Sequence, residues 1–173
     1  SVLILNEQYL SPTFVKTNVR NELTKIKSHL TLLLCDNKKN ENNCGLLQLK
    51  EITEPDLLYK QYFYRTATND TMKDDLKNLV NQVIEIVKPQ QNDIIVDIGS
   101  NDCTMLNFYE NKYRLVGFEP TENIKFLSSE KNIKVINTYF NSKDFEENFQ
   151  DDKAKVITSC AMFYDLENPI NFV

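Results

Sequence analysis

The sequence predicts an α/β protein in which a small N-terminal module precedes a parallel, Rossmann-like sheet. Residues 72–173 alternate short apolar, β-branched runs with polar or amphipathic segments, which is the pattern of βαβ units in a parallel sheet. Residues 1–55 instead contain short extended runs separated by polar connections, and an aromatic-rich linker, residues 56–71, joins the two parts. We therefore divide the chain into an N-terminal module, a linker and a sheet domain.

Composition and charge restrict the class of function. Charged residues make up 26% and hydrophobic residues 41% of the 173 residues, as in ordinary soluble proteins. The net charge of −5 does not suggest a nucleic-acid-binding protein. No apolar run approaches the roughly 20 residues that a membrane span requires, and the first apolar run is too short for a signal peptide. We expect a soluble, cytoplasmic protein with neither a nucleic-acid nor a membrane partner.

The two ends of the chain predict that it is a segment of a longer protein. There is no initiator Met, and the last residues, Asn171 to Val173, are typical of the start of a helix. A small module and part of a larger domain fit this length.

The N-terminal module contains a cysteine pair among three predicted strands, Val2–Leu5, Thr31–Leu34 and Leu46–Leu49. Cys35 and Cys44 flank a polar, turn-rich insert, so both thiols can meet at the base of a loop. Cys44 is followed by a glycine and an apolar pair, as in half of a zinc knuckle, but structural zinc needs four ligands. Two reduced core cysteines are the simpler interpretation and half a zinc site is the alternative. A disulfide is disfavoured without a secretory signal.

The linker is rich in aromatic residues that do not fit one face of a helix. Four of them, Tyr59, Tyr62, Phe63 and Tyr64, occur within six residues. They either pack on a neighbouring domain or form a lid over a ligand, and composition does not separate these two interpretations.

An amphipathic helix is predicted from Thr71 to Pro89. Its apolar residues recur at helical spacing, which favours a helix lying against the sheet. Thr71 and Asp74 form a predicted capping box at its start, and Pro89 ends it. We expect this stripe to be core.

The stretch from Asp93 to Cys103 predicts a ligand site. Ile94 to Ile98 reads as a buried strand, Gly99 as a turn, and the residues from Cys103 onward as a helix. A strand, a glycine turn and a helix N-terminus together direct backbone N–H groups at a ligand, and open α/β sheets bind ligands at the carboxyl ends of their strands. An ordinary βα turn without a ligand is the alternative.

The following segments continue the alternation of strands and helices. Strands are predicted at 114–119, 133–136 and 154–159, and helices at 123–131 and 140–149. Right-handed crossovers then build half of a doubly wound fold.

Glu119 ends the second of these strands, about 20 residues after Gly99, where dinucleotide and nucleoside sites place an acid that binds ribose hydroxyls. The turn lacks the further glycines of a pyrophosphate-binding loop, and Asp102 would repel a phosphate. Acids at Asp97 and Asp102 instead suit a cofactor with cationic groups. S-adenosylmethionine, which carries a sulfonium and an ammonium, has this chemistry.

Five sequence motifs resemble those of the S-adenosylmethionine-dependent C-methyltransferases that act on nucleotide-linked deoxysugars, and they occur in the same order along the chain. VDIGSNDCTML and LVGFEPTENI resemble the cofactor-binding core, and VITSCAMFYDLENPINFV the fourth strand and its loop. CGLLQLKEI resembles the end of the N-terminal zinc-binding module, and YKQYFYRTATNDTM the linker that reaches the cofactor. The resemblance spans nearly the whole chain and implies a partial class I methyltransferase core, a sugar-nucleotide substrate and a structural zinc.

The resemblance also implies a set of site residues. The resemblance implies that Asp97, Gly99, Asn101 and Asp102 bind the methionine end of the cofactor. It implies that Glu119 and Pro120 bind the ribose and that Phe140 packs on the adenine. Further contacts are implied for Tyr64, Thr66, Cys160 and Ala161.

The chain departs from the family at three places. The family usually has glycine where Cys103 stands, so a side chain there either crowds the cofactor or displaces the helix. Cys35 and Cys44 match the second pair of zinc-binding cysteines, and the first pair would precede residue 1. The family's Tyr/His/Glu catalytic group would follow Val173, so no general base is assigned.

Three functions are therefore weighed. The first is transfer of a methyl group to carbon of a keto-deoxysugar nucleotide, where orientation of the two reactants is the main task of the protein. The second keeps the cofactor but changes the acceptor to another small molecule. The third is a non-catalytic protein that binds S-adenosylmethionine.

Overall fold

The computed structural model describes residues 1–10, 27–38, 40–124 and 132–173. The chain forms two compact units, Ser1–Phe63 and Tyr64–Val173. In the described ranges, every buried hydrophobic side chain belongs to the second unit. No helix in these ranges is both long enough and apolar enough to cross a membrane.

The first unit is built on a three-stranded antiparallel sheet of order β1-β2-β3. The strands are β1 (Leu3–Tyr9), β2 (Lys27–Leu34) and β3 (Leu47–Leu49), and a short helix, α1 (Pro55–Tyr59), follows them. All three predicted extended runs are therefore strands, and the first two are longer than predicted.

The second unit contains a four-stranded parallel sheet of order β6-β5-β4-β7. Its strands are β4 (Ile94–Ile98), β5 (Arg114–Phe118), β6 (Ile133–Ile136) and β7 (Ala154–Thr158). Along the chain, β5 and β6 are added on one side of β4, and β7 on the other. The carboxyl end of β4 therefore lies where the strand order reverses, which is where open α/β sheets bind ligands. The predicted α/β fold with a parallel sheet is confirmed.

The sheet is flanked by helices on both faces. They are α2 (Asp70–Val87), α3 (Ser142–Phe149) and the short α4 (Pro169–Phe172). Val80 of α2 packs in one hydrophobic cluster with Ile95, whereas Phe149 of α3 packs in a second cluster with Val96 and Phe118. Successive residues of β4 thus face opposite layers, as a strand covered on both sides requires.

The predicted capping box of α2 is wrong. The helix begins two residues before Met72, and the N-cap is Asn69, whose Oδ1 accepts a hydrogen bond from the backbone N–H of Met72 at 3.1 Å. Asparagine is among the strongest N-cap residues, so Asn69 starts the helix ahead of Thr71. At the other end, Lys88 takes a left-handed conformation and Pro89 follows, as predicted for the end of the helix.

The helix predicted from Cys103 onward is reduced to a 3₁₀ turn at Leu106–Phe108. Asn101 and Cys103 have φ values of 51° and 63°, so a right-handed helix cannot begin before Thr104. The extended backbone of Tyr109, with a ψ of 155°, then ends the turn. Of the helix predicted at 123–131, the first two residues lie in a turn and residues 125–131 lie outside the described ranges.

Candidate functional site

The loop 99–103 after β4 lies at the carboxyl edge of the parallel sheet. The backbone N–H groups of Gly99 and Ser100 both donate to the carbonyl oxygen of Phe118, at 2.9 and 3.1 Å. The loop is thereby held against the end of β5, where Glu119 follows. Thr158 ends β7 on the other side of β4. Polar groups from three neighbouring strands thus converge at one edge.

Two glycines permit this arrangement. Gly99 has a φ of 71°, a conformation that strains residues with a Cβ. Gly117 lies inside β5, where an added Cβ would stand 2.5 Å from Ser100 Oγ and 3.0 Å from Ser100 Cβ. The glycine in β5 therefore makes room for the loop after β4.

Asp97 is one of three buried acids at this edge and is 4% exposed. Thr158 Oγ1 donates to its Oδ1 at 2.7 Å. Burial raises the pKa of Asp97 to about 7; the bond from Thr158 opposes this shift, and the negative charge of Glu119 adds to it. The carboxyl group is therefore part protonated at neutral pH, and a cation beside it would favour its ionised form.

Glu119 is 5% exposed and is fixed by four hydrogen bonds. Its Oε2 accepts from the backbone N–H of Asn101 at 2.7 Å, and its Oε1 from the N–H of Thr121 at 2.9 Å. Its own N–H donates to the carbonyl of Ile136 at 3.1 Å, and Asn137 Nδ2 donates to its carbonyl at 2.7 Å. Each carboxylate oxygen offers two lone pairs, so the acid can still accept hydrogen bonds from a diol.

Asn101 binds residues 64–66 to the loop. Its Oδ1 accepts from the backbone N–H of Thr66 at 3.0 Å and from Thr66 Oγ1 at 3.3 Å. Its Nδ2 donates to the carbonyl oxygen of Tyr64 at 3.1 Å. Thr66 is buried and the Tyr64 residue is half-buried. Three residues that the sequence predicts for one site therefore do lie together.

Asp102 is held by groups of the protein itself. Its Oδ2 accepts from the backbone N–H of Ala67 at 2.8 Å. Its Oδ1 accepts from the N–H of Thr104 at 3.2 Å and from Thr104 Oγ1 at 2.6 Å. The carboxylate thus caps the turn after the loop and fixes the linker, and its contact with a cationic ligand stays a prediction.

The side chain of Cys103, the last residue of the loop, is buried in the core. It is 1% exposed, belongs to the hydrophobic cluster of α2, and its Sγ is 3.8 Å from Ser100 Oγ. Burial raises the pKa of its thiol to about 11. The crowding of the cofactor and the displacement of the helix expected for this side chain both stay predictions.

The loop after β7 contains the predicted contacts Cys160 and Ala161. Cys160 is half-buried with Sγ 3.9 Å from Met105 Sδ, and burial raises the pKa of its thiol. Ala161 is exposed and has a φ of 55°. A Cβ added at Gly99 would stand 3.5 Å from Met162, so this loop reaches the loop after β4.

The other predicted contacts lie near the end of β5. Pro120 is half-buried directly after Glu119. Phe140 packs edge-on against Phe118, with ring centroids 4.9 Å apart, and against Phe172 at 5.5 Å. Its packing on an adenine stays a prediction.

The cysteine pair of the first unit is reduced. Cys35 is half-buried and Cys44 is exposed. A hydrogen bond from the backbone of Leu46 and a second from the Cys35 thiol lower the pKa of Cys44. The parts of the chain that the structure describes contain no cluster of three or more His, Cys, Asp or Glu residues placed to hold a metal ion. A zinc site is therefore not supported.

Several residues of the site were missed by sequence reasoning. Thr158 and Asn137 each stand at or directly after the carboxyl end of a strand, and that position was a usable signal. Gly117 was visible as a glycine within a strand, which often marks a close approach. The N–H of Ala67 is a main-chain group and carries no signal in the sequence.

No protein-family model matches the chain. Over 105 residues the chain is 26% identical to the C-methyltransferase NovU of Streptomyces niveus, a match that covers 60% of this chain and 25% of that protein. The match thus spans a quarter of the length of this curated relative. The chain is also similar to the crystal structure of the plantazolicin methyltransferase BpumL in complex with monoazolic desmethylPZN analog and SAH. That similarity has a TM-score of 0.42 and 20% identity over 57% of this chain and 38% of the other.

Proposed function

We propose that this chain is part of an S-adenosylmethionine-dependent methyltransferase and that the loop after β4 binds the cofactor. The observation that carries the proposal is the pair of buried acids, Asp97 and Glu119, at the carboxyl ends of adjacent parallel strands. The similarity to the C-methyltransferase NovU supports the same activity.

The acidic side chains of this edge fit the chemistry of this cofactor. S-adenosylmethionine carries a sulfonium, an ammonium and a ribose diol. A cation beside Asp97 would favour ionisation of a carboxyl group whose pKa burial has raised to about 7. Glu119 has lone pairs for ribose hydroxyls, and three buried acids around one loop would repel the pyrophosphate of a dinucleotide.

The proposed contacts follow the positions of the residues. Asp97 and the loop after β4 hold the cationic methionine end, and Glu119 with Pro120 holds the ribose. The remaining proposed contacts are Tyr64, Thr66, Phe140, Cys160 and Ala161. When bound, S-adenosylmethionine supplies an electrophilic methyl group. The task of these residues is to bind and orient it, since orientation supplies a large part of such catalysis.

The acceptor that we propose is a carbon atom beside the keto group of a nucleotide-linked deoxysugar. The name of the relative NovU supports carbon as the acceptor atom. The sugar nucleotide rests on the run of motifs in the sequence, and another small-molecule acceptor would leave the cofactor site unchanged.

The test is calorimetric titration of the 173-residue chain with S-adenosylhomocysteine, using NAD as the competing cofactor class. We expect binding of the former alone. Glu119→Gln should raise the dissociation constant at least tenfold, about 1.4 kcal/mol, through loss of the charged acceptor. Glu110→Gln, an exposed acid before β5, is the matched control and should bind as the unmodified chain does. Binding of NAD, or equal affinity of the Glu119 variant, would contradict the proposal.

A further inference from the structure

Residues 64–67, the strap, are fastened to the loop after β4 by side chains of that loop. Asn101 accepts from the N–H and the hydroxyl of Thr66 and donates to the carbonyl of Tyr64. Asp102 accepts from the N–H of Ala67. Four hydrogen bonds between two consecutive loop residues and three strap residues, Tyr64, Thr66 and Ala67, thus hold the strap.

Asn101 also holds the acid at the end of β5. Its backbone N–H donates to Glu119 Oε2 at 2.7 Å. One residue therefore joins the strap through its side chain and Glu119 through its main chain. A rotation of Asn101 that followed a displaced strap would also redirect the N–H that orients the Glu119 carboxylate.

The chemistry of this position is specific to asparagine. Asn101 has a φ of 51°, and asparagine is one of the few residues with a side chain that visits the left-handed region routinely. Its amide supplies an acceptor for Thr66 and a donor for Tyr64 at once. An aspartate lacks the donor and a glycine lacks both groups.

We propose that Asn101 is a positioning residue that couples the order of the strap to the affinity of the Glu119 site for its nucleoside cofactor. This inference rests on the proposed function, because it takes Glu119 as a ligand of that cofactor. It differs from the direct cofactor contact that the sequence predicts for Asn101, since both polar ends of the side chain are bonded to the strap.

The test compares Asn101→Gly with the unmodified chain. Glycine accepts the left-handed conformation and keeps the N–H to Glu119. The variant therefore removes the three hydrogen bonds of the Asn101 side chain to the strap and leaves the bond between Asp102 and Ala67 in place. We expect amide hydrogen exchange to accelerate about tenfold at Thr66, and the dissociation constant of S-adenosylhomocysteine to rise about tenfold. Thr66→Val, which removes the hydroxyl bond and keeps the N–H bond, should give a smaller change in both.

Asn92→Gly is the matched control. Asn92 is also a left-handed asparagine, with a φ of 69°, in the turn before β4. This control should leave the affinity and the exchange at Thr66 unchanged.

Exchange that accelerates evenly across the sheet domain, or unchanged affinity with a released strap, would overturn the inference. If the unmodified chain does not bind S-adenosylhomocysteine, the proposed function fails, and so does the coupling. The hydrogen exchange at Thr66 in Asn101→Gly would then still test whether Asn101 holds the strap.

Discussion

Replacing Asp97 with asparagine tests how the buried acid affects the stability of the fold. Asparagine has nearly the same shape, and its Oδ1 can still accept the hydrogen bond from Thr158. It cannot ionise. The variant therefore isolates the cost of a charge at a position that is 4% exposed.

The magnitude follows from the pKa of Asp97, which is raised from 3.8 to about 7. Between these values the folded state binds more protons than the unfolded state, so the free energy of unfolding falls as the pH rises. The full penalty is reached above pH 7 and amounts to about 4 kcal/mol, at about 1.4 kcal/mol per pH unit. The free energy of unfolding of Asp97→Asn, measured relative to that of the unmodified chain, should therefore rise by about 2 to 3 kcal/mol from pH 5 to pH 8.

Urea denaturation of both proteins at pH 5, 6, 7 and 8 measures this gain. The change with pH is the test. New hydrogen bonds of the asparagine amide would shift the free energy of unfolding by a similar amount at all four pH values. Asp75→Asn, an exposed acid on α2, is the control and should give no such gain. Parallel pH dependences for Asp97→Asn and the unmodified chain would refute a raised pKa at this position.

Two further predictions concern the contacts beneath the loop and the thiols. Gly117→Ala should lower the free energy of unfolding by about 1 to 3 kcal/mol, because the new Cβ would stand 2.5 Å from Ser100 Oγ; a neutral result in urea denaturation would mean that the loop is not pressed against β5. Thiol titration of the native chain should label Cys44 readily, because it is exposed and has a lowered pKa, and leave Cys103 protected until unfolding, because it is buried with a pKa of about 11. Equal labelling rates would contradict this assignment.

Strands of the sheet domain could be predicted almost to the residue. Ile94–Ile98 and Ile133–Ile136 are short runs rich in β-branched residues, and they are strands with those bounds. Such runs are readable because β-branched side chains pack well on the pleated surface of a strand. The helix after β4 could not be predicted correctly, since nothing in the sequence marks the left-handed conformation of Cys103.

The acids of the candidate site could also be predicted. Asp97 and Glu119 stand at or after the ends of neighbouring strands, and parallel strands bring those ends together. Their surroundings could not be predicted, because much of the network consists of main-chain N–H groups such as those of Thr121 and Ala67. Every residue but proline carries such a group, so only the fold decides which one is used.

The buried acids suggest how a cationic ligand would interact with this site. Burial and, to a smaller extent, the negative charge of Glu119 raise the pKa of Asp97 to about 7, so without a cation this carboxyl group is partly protonated at neutral pH. A cationic ligand would lower that pKa and release the proton. Binding and proton release should therefore be linked at neutral pH.

Titration of the chain with S-adenosylmethionine at pH 7, in two buffers with different enthalpies of ionisation, measures both the binding and the linked proton release. We expect binding whose apparent enthalpy differs between the buffers for the unmodified chain, with a smaller difference for Asp97→Asn. Absence of binding, or the same buffer dependence in both proteins, would contradict this expectation.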